Sequence, residues 1–215
     1  MSRIQIVQRL ISPGAIAVIR MSDTQKLKKV VEAIHEGGIS AIEITMTTPN
    51  ALRVIEEIAH TMENVAQVGV GSVLDAETAR LAINAGATFV VSPIFKPDII
   101  RTTHRYDLPS IAGAFTPTEI LTAQEQGADI VKVFPADVLG MAFFKAIKAP
   151  MPHLQLMPTG GVSLTNAGDW IEAGACAVAV GTALLDKQAI AEENYEKLIE
   201  NAKTLCRSIA QGRNG

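Results

Sequence analysis

The chain has 215 residues, of which 48% are hydrophobic and 19% are charged, and its formal net charge is −3. So much apolar material supports one large core, or at most two small ones, and excludes an intrinsically disordered protein. The 19 basic and 22 acidic residues nearly balance and form no run of like charge, which argues against a nucleic-acid partner.

Residues 1–11 predict a short N-terminal helix that docks on the rest of the protein. Its apolar residues recur at helical spacing on one face, and these are Ile4, Val7, Leu10 and Ile11. The segment lacks the unbroken apolar core of a signal peptide. No later stretch is apolar and uncharged over the ~18 residues that a membrane helix needs. We therefore expect a soluble, cytoplasmic protein with no membrane partner.

Eight short apolar runs follow along the chain, and a helical pattern comes after each of them. The runs occupy residues 15–19, 37–44, 67–70, 86–91, 110–113, 127–133, 154–157 and 174–180. A glycine that ends a helical stretch leads into four of these runs, as at a helix C-cap. Such alternation over about 200 residues predicts an α/β fold, a (β/α)8 TIM barrel rather than a doubly wound sheet.

Several helix starts are marked by their capping residues. Thr116, Pro117 and Glu119 combine an N-cap, a proline at the first helical position and a capping-box glutamate. Asp75 and Ser163 are two further N-cap candidates.

The chain shows no linker that would divide it, so residues 1–215 predict a single domain. Its barrel core is expected at about residues 15–190, and helical spacing in the tail predicts a C-terminal helix at about 192–210. No Gly-x-Gly-x-x-Gly turn follows the first apolar run, so a dinucleotide cofactor is not indicated.

Strand parity selects the residues that face the barrel interior. Side chains of a barrel strand alternate between the interior and the surrounding helices, and catalytic groups lie at the C-terminal strand ends. In the second strand this places Glu43 and Thr45 inside. In the sixth strand it places Ile130, Lys132 and Phe134 inside. A carboxylate and an amine are thus expected in one small interior.

Two explanations of this pair stay open at this point. Glu43 and Lys132 could form a buried structural ion pair, although desolvation of two charges cancels most of the Coulomb gain. Alternatively, Lys132 could attack a carbonyl substrate to form a Schiff base, with Glu43 as general acid and base. Lys145 and Lys148 lie in a helical pattern and are expected to be solvated surface lysines.

Two glycine-bearing loops follow the last two strands. Thr159, Gly160 and Gly161 come after the seventh strand, and Gly181 and Thr182 come after the eighth. Barrels often bind a phosphate at this corner, where glycine lets backbone N–H groups approach the anion. Turns also require glycine for purely structural reasons. Finding two such loops at the expected strands favours a phosphate site.

Other polar residues end earlier strands, namely Arg20, Ser72 and Pro93 with its neighbour Ser92. Each is either part of a plain strand-to-helix turn or, for Arg20 and Ser72, a partner for a substrate carboxylate. The four histidines show no metal-ligand spacing, and the two cysteines do not indicate a disulfide framework. No metal site is indicated.

Five motifs together resemble those of a known family. They are Ile42-Glu43-Ile44-Thr45, Gly69-Val70-Gly71-Ser72-Val73-Leu74, Val91-Ser92-Pro93, Lys132-Val133-Phe134-Pro135-Ala136 and Pro158-Thr159-Gly160-Gly161-Val162. Over residues 15–185 the chain resembles the 2-keto-3-deoxy-6-phosphogluconate (KDPG) aldolases, also called 4-hydroxy-2-oxoglutarate (KHG) aldolases. The resemblance implies a class I aldolase of the Entner–Doudoroff pathway that is usually a homotrimer and uses neither a metal nor another cofactor. Such enzymes cleave the phosphorylated keto acid to pyruvate and glyceraldehyde 3-phosphate.

The resemblance also implies roles for individual residues. Lys132 resembles the Schiff-base lysine, and Glu43 resembles the general acid and base. The residues that resemble the pyruvate pocket are Ser72, Pro93, Phe134 and Thr159. Those that resemble the phosphate end are Gly160, Gly161, Gly181 and Thr182.

Two departures from the family pattern bear on substrate choice. Many members have an arginine at the position of Thr47 that helps to hold the substrate carboxylate, and Arg20 is a candidate replacement. Many members also have threonine where this chain has Ser72. Arg20, Thr45 and Thr47 complete the set of candidate substrate-binding residues.

Several alternatives remain beside KDPG cleavage. The substrate could be the galacto-configured keto acid, and 4-hydroxy-2-oxoglutarate could be cleaved to pyruvate and glyoxylate. A phosphate-binding sugar-phosphate epimerase would use Lys132 without a covalent bond. A non-catalytic binder of the same fold is disfavoured by the retained Lys132 and Glu43.

Overall fold

The structure is a computed structural model and describes residues 1–214. Its strands are β1 (Ala15–Ile19), β2 (Ala41–Thr45), β3 (Gln67–Gly71), β4 (Val90–Val91), β5 (Ser110–Ala114), β6 (Ile130–Val133), β7 (Leu156–Pro158) and β8 (Val178–Val180). Its helices are α1 (Arg3–Ile11), α2 (Thr24–Glu36), α3 (Ala51–Thr61), α4 (Ala76–Asn84), α5 (Pro97–His104), α6 (Pro117–Glu125), α7 (Ala136–Lys148), α8 (Ala167–Glu172), α9 (Lys187–Ala191) and α10 (Tyr195–Asn214).

The strands form one parallel sheet that curls into a nearly closed barrel. The strand order is β7-β6-β5-β4-β3-β2-β1-β8, and helices connect consecutive strands. The two ends of this order meet through isolated bridges, Leu156 to Ala175 and Thr159 to Ala179, instead of a continuous ladder. The predicted (β/α)8 TIM barrel is therefore confirmed.

Alternate residues of each strand enter two separate hydrophobic layers, as the parity argument predicts. Ile42 and Ile44 of β2 lie in the layer between the sheet and the helices. Ile130 of β6 lies inside the barrel with Phe89 and Met157. Because the strands are parallel, their C-terminal ends meet at one mouth of the barrel, and their N-terminal ends meet at the floor.

Helix α1 docks on this floor through a face that overlaps in part with the one expected from the sequence. Ile6 and Leu10 are buried in the interior cluster, Ile11 packs against that cluster, and Ile4 is 67% exposed. The predicted face is confirmed for Leu10 and Ile11 and was wrong for Ile4, because the helix packs through the i, i+4 pair of Ile6 and Leu10. Arg3 Nε also lies 3.4 Å from an oxygen of Asp129 on the floor.

Local hydrogen bonds explain where the helices begin. Thr116 Oγ1 accepts from the Glu119 backbone N–H at 3.3 Å, and the Glu119 carboxylate accepts from the Thr116 N–H at 2.8 Å. Asp75 caps α4 by accepting from the Thr78 N–H at 2.6 Å. Ser163 is not the N-cap of α8, because it exchanges hydrogen bonds with Asn166 in the preceding turn and Asn166 is the cap.

The last helix, α10, starts three residues later than expected and extends to Asn214. It buries Leu198, Ala202 and Leu205 against the barrel, which confirms its bracing position. Among residues 1–214, no helix has both the length and the apolar character needed to cross a membrane.

Candidate active site

All the candidate substrate-binding residues that the sequence selected lie at or beyond the C-terminal end of a strand, at the barrel mouth. Arg20 follows β1, Thr45 ends β2, Thr47 follows it, Ser72 follows β3, Pro93 follows β4, Phe134 follows β6, Thr159 to Gly161 follow β7, and Gly181 and Thr182 follow β8. Glu43 and Lys132 lie deeper in the barrel, within strands β2 and β6 themselves. The topology therefore brings the predicted set to one edge of the sheet.

Glu43 is the most buried ionisable group at the mouth, with 1% of its surface exposed. Its Oε2 atom has no hydrogen-bond partner within residues 1–214. Burial raises the pKa of Glu43 above its ordinary value, and the positive charges of Lys132 and Arg20 oppose that rise. A buried carboxyl group whose pKa is raised holds a proton more readily than an exposed one, which suits a general acid and base.

Lys132 is also buried, with 6% of its surface exposed, and its Nζ atom lies 5.2 Å from the centre of the Phe134 ring. The amine acts electrostatically on Glu43, yet the two side chains form no ion pair in the described part of the chain. The structural ion pair considered from the sequence is therefore not formed. Both groups stay available to a substrate.

A cluster of threonine hydroxyls lies beside Glu43 at the end of β2. Thr45 Oγ1 lies 2.8 Å from Thr47 Oγ1 and 3.5 Å from Thr48 Oγ1. Thr45 is buried and Thr47 is exposed. Thr48 was not selected from the sequence, because its contact depends on the turn after β2.

Arg20 is exposed at the end of β1, and its charge reaches Glu43.

Ser72 lies in a strained backbone conformation directly after β3. Its φ is 60°, in the left-handed region that residues other than glycine rarely adopt. Strain of this kind clusters at functional sites, where the surrounding structure holds it in place. The preceding Gly71 was not selected from the sequence. The spacing of Gly69 and Gly71 within one strand was the available signal, because strand glycines mark close approaches.

The loops after β7 and β8 present unpaired backbone donors. Gly160 and Gly161 have positive φ values of 98° and 71°. Within residues 1–214, the N–H groups of Gly160, Gly161 and Thr182 donate no hydrogen bond, and the Thr159 hydroxyl is buried without a partner. Unpaired N–H groups in such turns suit an anion. The turn after β8 is closed by the Gly181 carbonyl, which accepts from Leu184 and Leu185.

The mouth also has an apolar side between β4 and β6. A cavity of about 550 Å³ lies there, and its walls include Pro93, Gly113, Phe115 and Phe134. Phe134 is 39% exposed, lines this cavity and also lies 5.2 Å from Lys132 Nζ. The arrangement places a low-dielectric wall next to the amine.

Metal ligation finds no support among the described residues. Across residues 1–214, no group of three or more His, Cys, Asp or Glu residues is placed to hold an ion. His104 instead forms a hydrogen bond with Asp129 on the barrel floor, with 3.0 Å between Nε2 and Oδ2.

Lys148 is not a plain surface lysine, since its Nζ donates to the Pro152 and Leu154 carbonyls at 2.6 and 2.8 Å.

Comparison with known proteins places this site in a family context. The family model described as "Aldolase: KDPG and KHG aldolase" matches residues 6–201. A 2-dehydro-3-deoxy-phosphogluconate aldolase of Pseudomonas aeruginosa is 30% identical over 199 residues, covering 92% of this chain and 90% of the relative. A probable 2-dehydro-3-deoxy-6-phosphogalactonate aldolase of Rhizobium meliloti is 36% identical over 171 residues, covering 79% and 80%.

Solved structures agree with these relatives. A structure described as native KDPGal superposes with a TM-score of 0.85 at 27% identity, covering 94% of this chain and 96% of the other. The match extends over the whole barrel and therefore includes the strand ends that carry the candidate site.

Proposed function

Because the chain belongs to the KDPG and KHG aldolase family, and is therefore an aldolase within the carbon–carbon lyases, we propose that it works through a Schiff base on Lys132. The observation that carries this proposal is the pair of buried groups, Lys132 and Glu43, which share one mouth without pairing to each other. We propose KDPG as the substrate, cleaved to pyruvate and glyceraldehyde 3-phosphate.

The first steps of the reaction join the substrate to Lys132. The Nζ atom attacks the C2 carbonyl of the keto acid and gives a carbinolamine, which loses water to give an iminium ion. The Phe134 ring, 5.2 Å from Nζ, gives the amine an apolar neighbour on one side during this reaction. The iminium then accepts the electron pair released on cleavage, so the reaction needs neither a metal nor another cofactor.

Glu43 makes the proton transfers of the later steps. Its carboxylate removes the proton of the C4 hydroxyl, directly or through a water, as the C3–C4 bond breaks. The bond's electron pair moves into an enamine, and the aldehyde leaves. Glu43 then returns the proton to C3 of the enamine, and water hydrolyses the resulting iminium to free Lys132 and pyruvate. Its raised pKa suits a group that must serve in both protonation states.

The remaining residues bind the two ends of the substrate. The unpartnered Thr159 hydroxyl and the Ser72 hydroxyl would donate hydrogen bonds to the pyruvate carboxylate, with Arg20 as a longer-range cation in place of an arginine at Thr47. The free N–H groups of Gly160, Gly161 and Thr182 would hold the phosphate. We also propose the homotrimer that the family resemblance implies.

One observation favours a second substrate of the same reaction type. The Rhizobium meliloti relative, at 36% identity, is described as a probable phosphogalactonate aldolase. The two keto acids differ in configuration within the aldehyde half, and attack of Lys132 on C2 does not distinguish between them. The galacto-configured compound is therefore the alternative substrate, and we propose cleavage of 4-hydroxy-2-oxoglutarate as a side activity.

A coupled assay for pyruvate release tests the proposal. We expect cleavage of KDPG by the native protein and loss of about three orders of magnitude in kcat for Lys132→Met, as for removal of a covalent nucleophile. Lys145→Met is the matched control, because Lys145 is an exposed lysine of α7. Assays of the galacto-configured compound and of 4-hydroxy-2-oxoglutarate rank the substrates. Near-native turnover by Lys132→Met would contradict the Schiff-base mechanism.

A further inference from the structure

We infer that Gly71 is a positioning residue, because the side chain it lacks leaves the space in which the Glu43 carboxyl group lies. Gly71 ends β3 and pairs in register with Thr45, whereas Glu43 itself pairs with Gly69. The Glu43 side chain therefore reaches along the barrel axis, from its own level to the level of Gly71. The inference rests on the proposed role of Glu43 in proton transfer.

The two glycines of β3 make room for different side chains. A Cβ atom added at Gly71 would overlap Oε1, Cδ and Cγ of Glu43. One added at Gly69 would overlap the Phe89 ring instead. The φ angle of Gly71 lies outside the left-handed region, so its backbone would accept an L residue. Space for Glu43, and not backbone conformation, explains the glycine at position 71.

Within the described chain, packing rather than hydrogen bonding sets the position of the Glu43 carboxyl group. Its Oε2 atom has no partner among residues 1–214, and Lys132 and Arg20 act on it through charge alone. A carboxyl group without hydrogen bonds keeps its place only while its neighbours leave one conformation open. A side chain at position 71 would therefore displace the Glu43 carboxyl group, because no hydrogen bond holds Oε2 in place.

Displacement of Glu43 should slow proton transfer and leave imine formation on Lys132 unchanged. A misplacement of about 1 Å can cost about a hundredfold in rate. Lys132 lies on β6, across the barrel from β3, so its reaction with pyruvate does not depend on the space at Gly71. The consequence is a variant that forms the imine yet exchanges the protons of bound pyruvate slowly.

The test measures exchange of the pyruvate methyl protons with D2O by NMR, alongside borohydride reduction of pyruvate onto the protein. For Gly71→Ala we expect exchange slower by about a hundredfold, with the Lys132 adduct retained. Gly69→Ala is the matched control, because it adds the same methyl group to the same strand against Phe89. Equal slowing in both variants, or native exchange in Gly71→Ala, would overturn the inference.

A rescue experiment separates displacement of Glu43 from general damage to β3. Alanine lacks the Cγ, Cδ and Oε1 atoms of Glu43 that an added Cβ would overlap, so Glu43→Ala leaves room for the methyl group. Gly71→Ala should therefore lower the Tm much less in the Glu43→Ala background than in the native one. The same loss of Tm in both backgrounds contradicts the inference. If Gly71→Ala fails to fold, folding of the double variant supports the collision with Glu43, and failure of both variants refutes it.

The two proposals fail in different ways. Absence of a borohydride adduct on native Lys132 contradicts the proposed function itself. An adduct on native Lys132 together with indifference of exchange to Gly71→Ala contradicts only the positioning role.

Discussion

Glu43 lies almost wholly out of solvent, and its burial has a consequence for stability as well as for catalysis. Because its pKa is raised in the folded protein, the folded state binds a proton at Glu43 more tightly than the unfolded chain does. Ionising Glu43 therefore costs folding free energy. This cost is absent below the unfolded pKa and develops as the pH rises through the folded pKa.

Glu43→Gln removes this ionisation and should change how stability depends on pH. We expect the Tm of Glu43→Gln, relative to native protein, to increase as the pH rises from about 4 to about 8. Thermal unfolding followed by circular dichroism across this range measures the difference. A Tm difference that stays constant with pH would show that burial does not raise the pKa of Glu43.

At the residue scale, the sequence predicted those side chains that strand parity alone can place. Glu43 and Lys132 needed only the alternation of β2 and β6. The Gly71 contact and the Thr45–Thr47 hydrogen bond could not be predicted, because they depend on register and on the path of a turn. Neither is encoded in local sequence periodicity.

At the scale of one element, the start of α6 depends on its capping box. Thr116 accepts from the Glu119 N–H, and its loss leaves an unpaired donor in the first turn. Thr116→Ala should therefore lower the free energy of unfolding by about 1 kcal/mol. Denaturant titration measures this, and Thr118→Ala is the control, since Thr118 is exposed and lies two residues further on, in the first turn of the helix. Equal loss in both variants would rule out the capping contribution.

Elements were predicted well where a strong local signal bounded them. β1 occupies the predicted residues because a uniform apolar run ends at Arg20. The strand within residues 86–91 is much shorter than its run, since only Val90 and Val91 enter the sheet. The docked face of α1 was predicted for Leu10 and Ile11 but not for Ile4 and Ile6, because the sequence does not show which side of an amphipathic helix meets the floor. Ser163 has the sequence signature of an N-cap, but the structure places it in the turn before α8, where it bonds Asn166.

At the scale of the molecule, the two ends of the barrel have separate roles in catalysis and in stability. The mouth holds the candidate active site, and the floor is sealed by α1 through Ile6 and Leu10. Residues at the N-terminal face of such barrels serve stability, whereas those at the C-terminal face serve chemistry. A change at the floor should therefore alter stability without altering turnover.

Leu10→Ala tests this division. Leu10 is fully buried, so its truncation should leave a cavity and lower the free energy of unfolding by about 2–5 kcal/mol. The kcat of the folded variant should match that of native protein. Ile4→Ala serves as the control, because Ile4 is mostly exposed on the same helix. A large fall in kcat with unchanged stability would contradict the separation of floor and mouth.

The central claim is that Lys132 forms an imine with its substrate. Incubation with pyruvate and borohydride, followed by peptide mass mapping, tests it most directly. We predict one reduced pyruvate adduct, located on Lys132 and absent from Lys132→Met. A folded protein that yields no adduct, or one modified at Lys145 instead, would contradict the Schiff-base mechanism. The absence of any adduct would indicate that Lys132 acts in the aldolase reaction without a covalent bond.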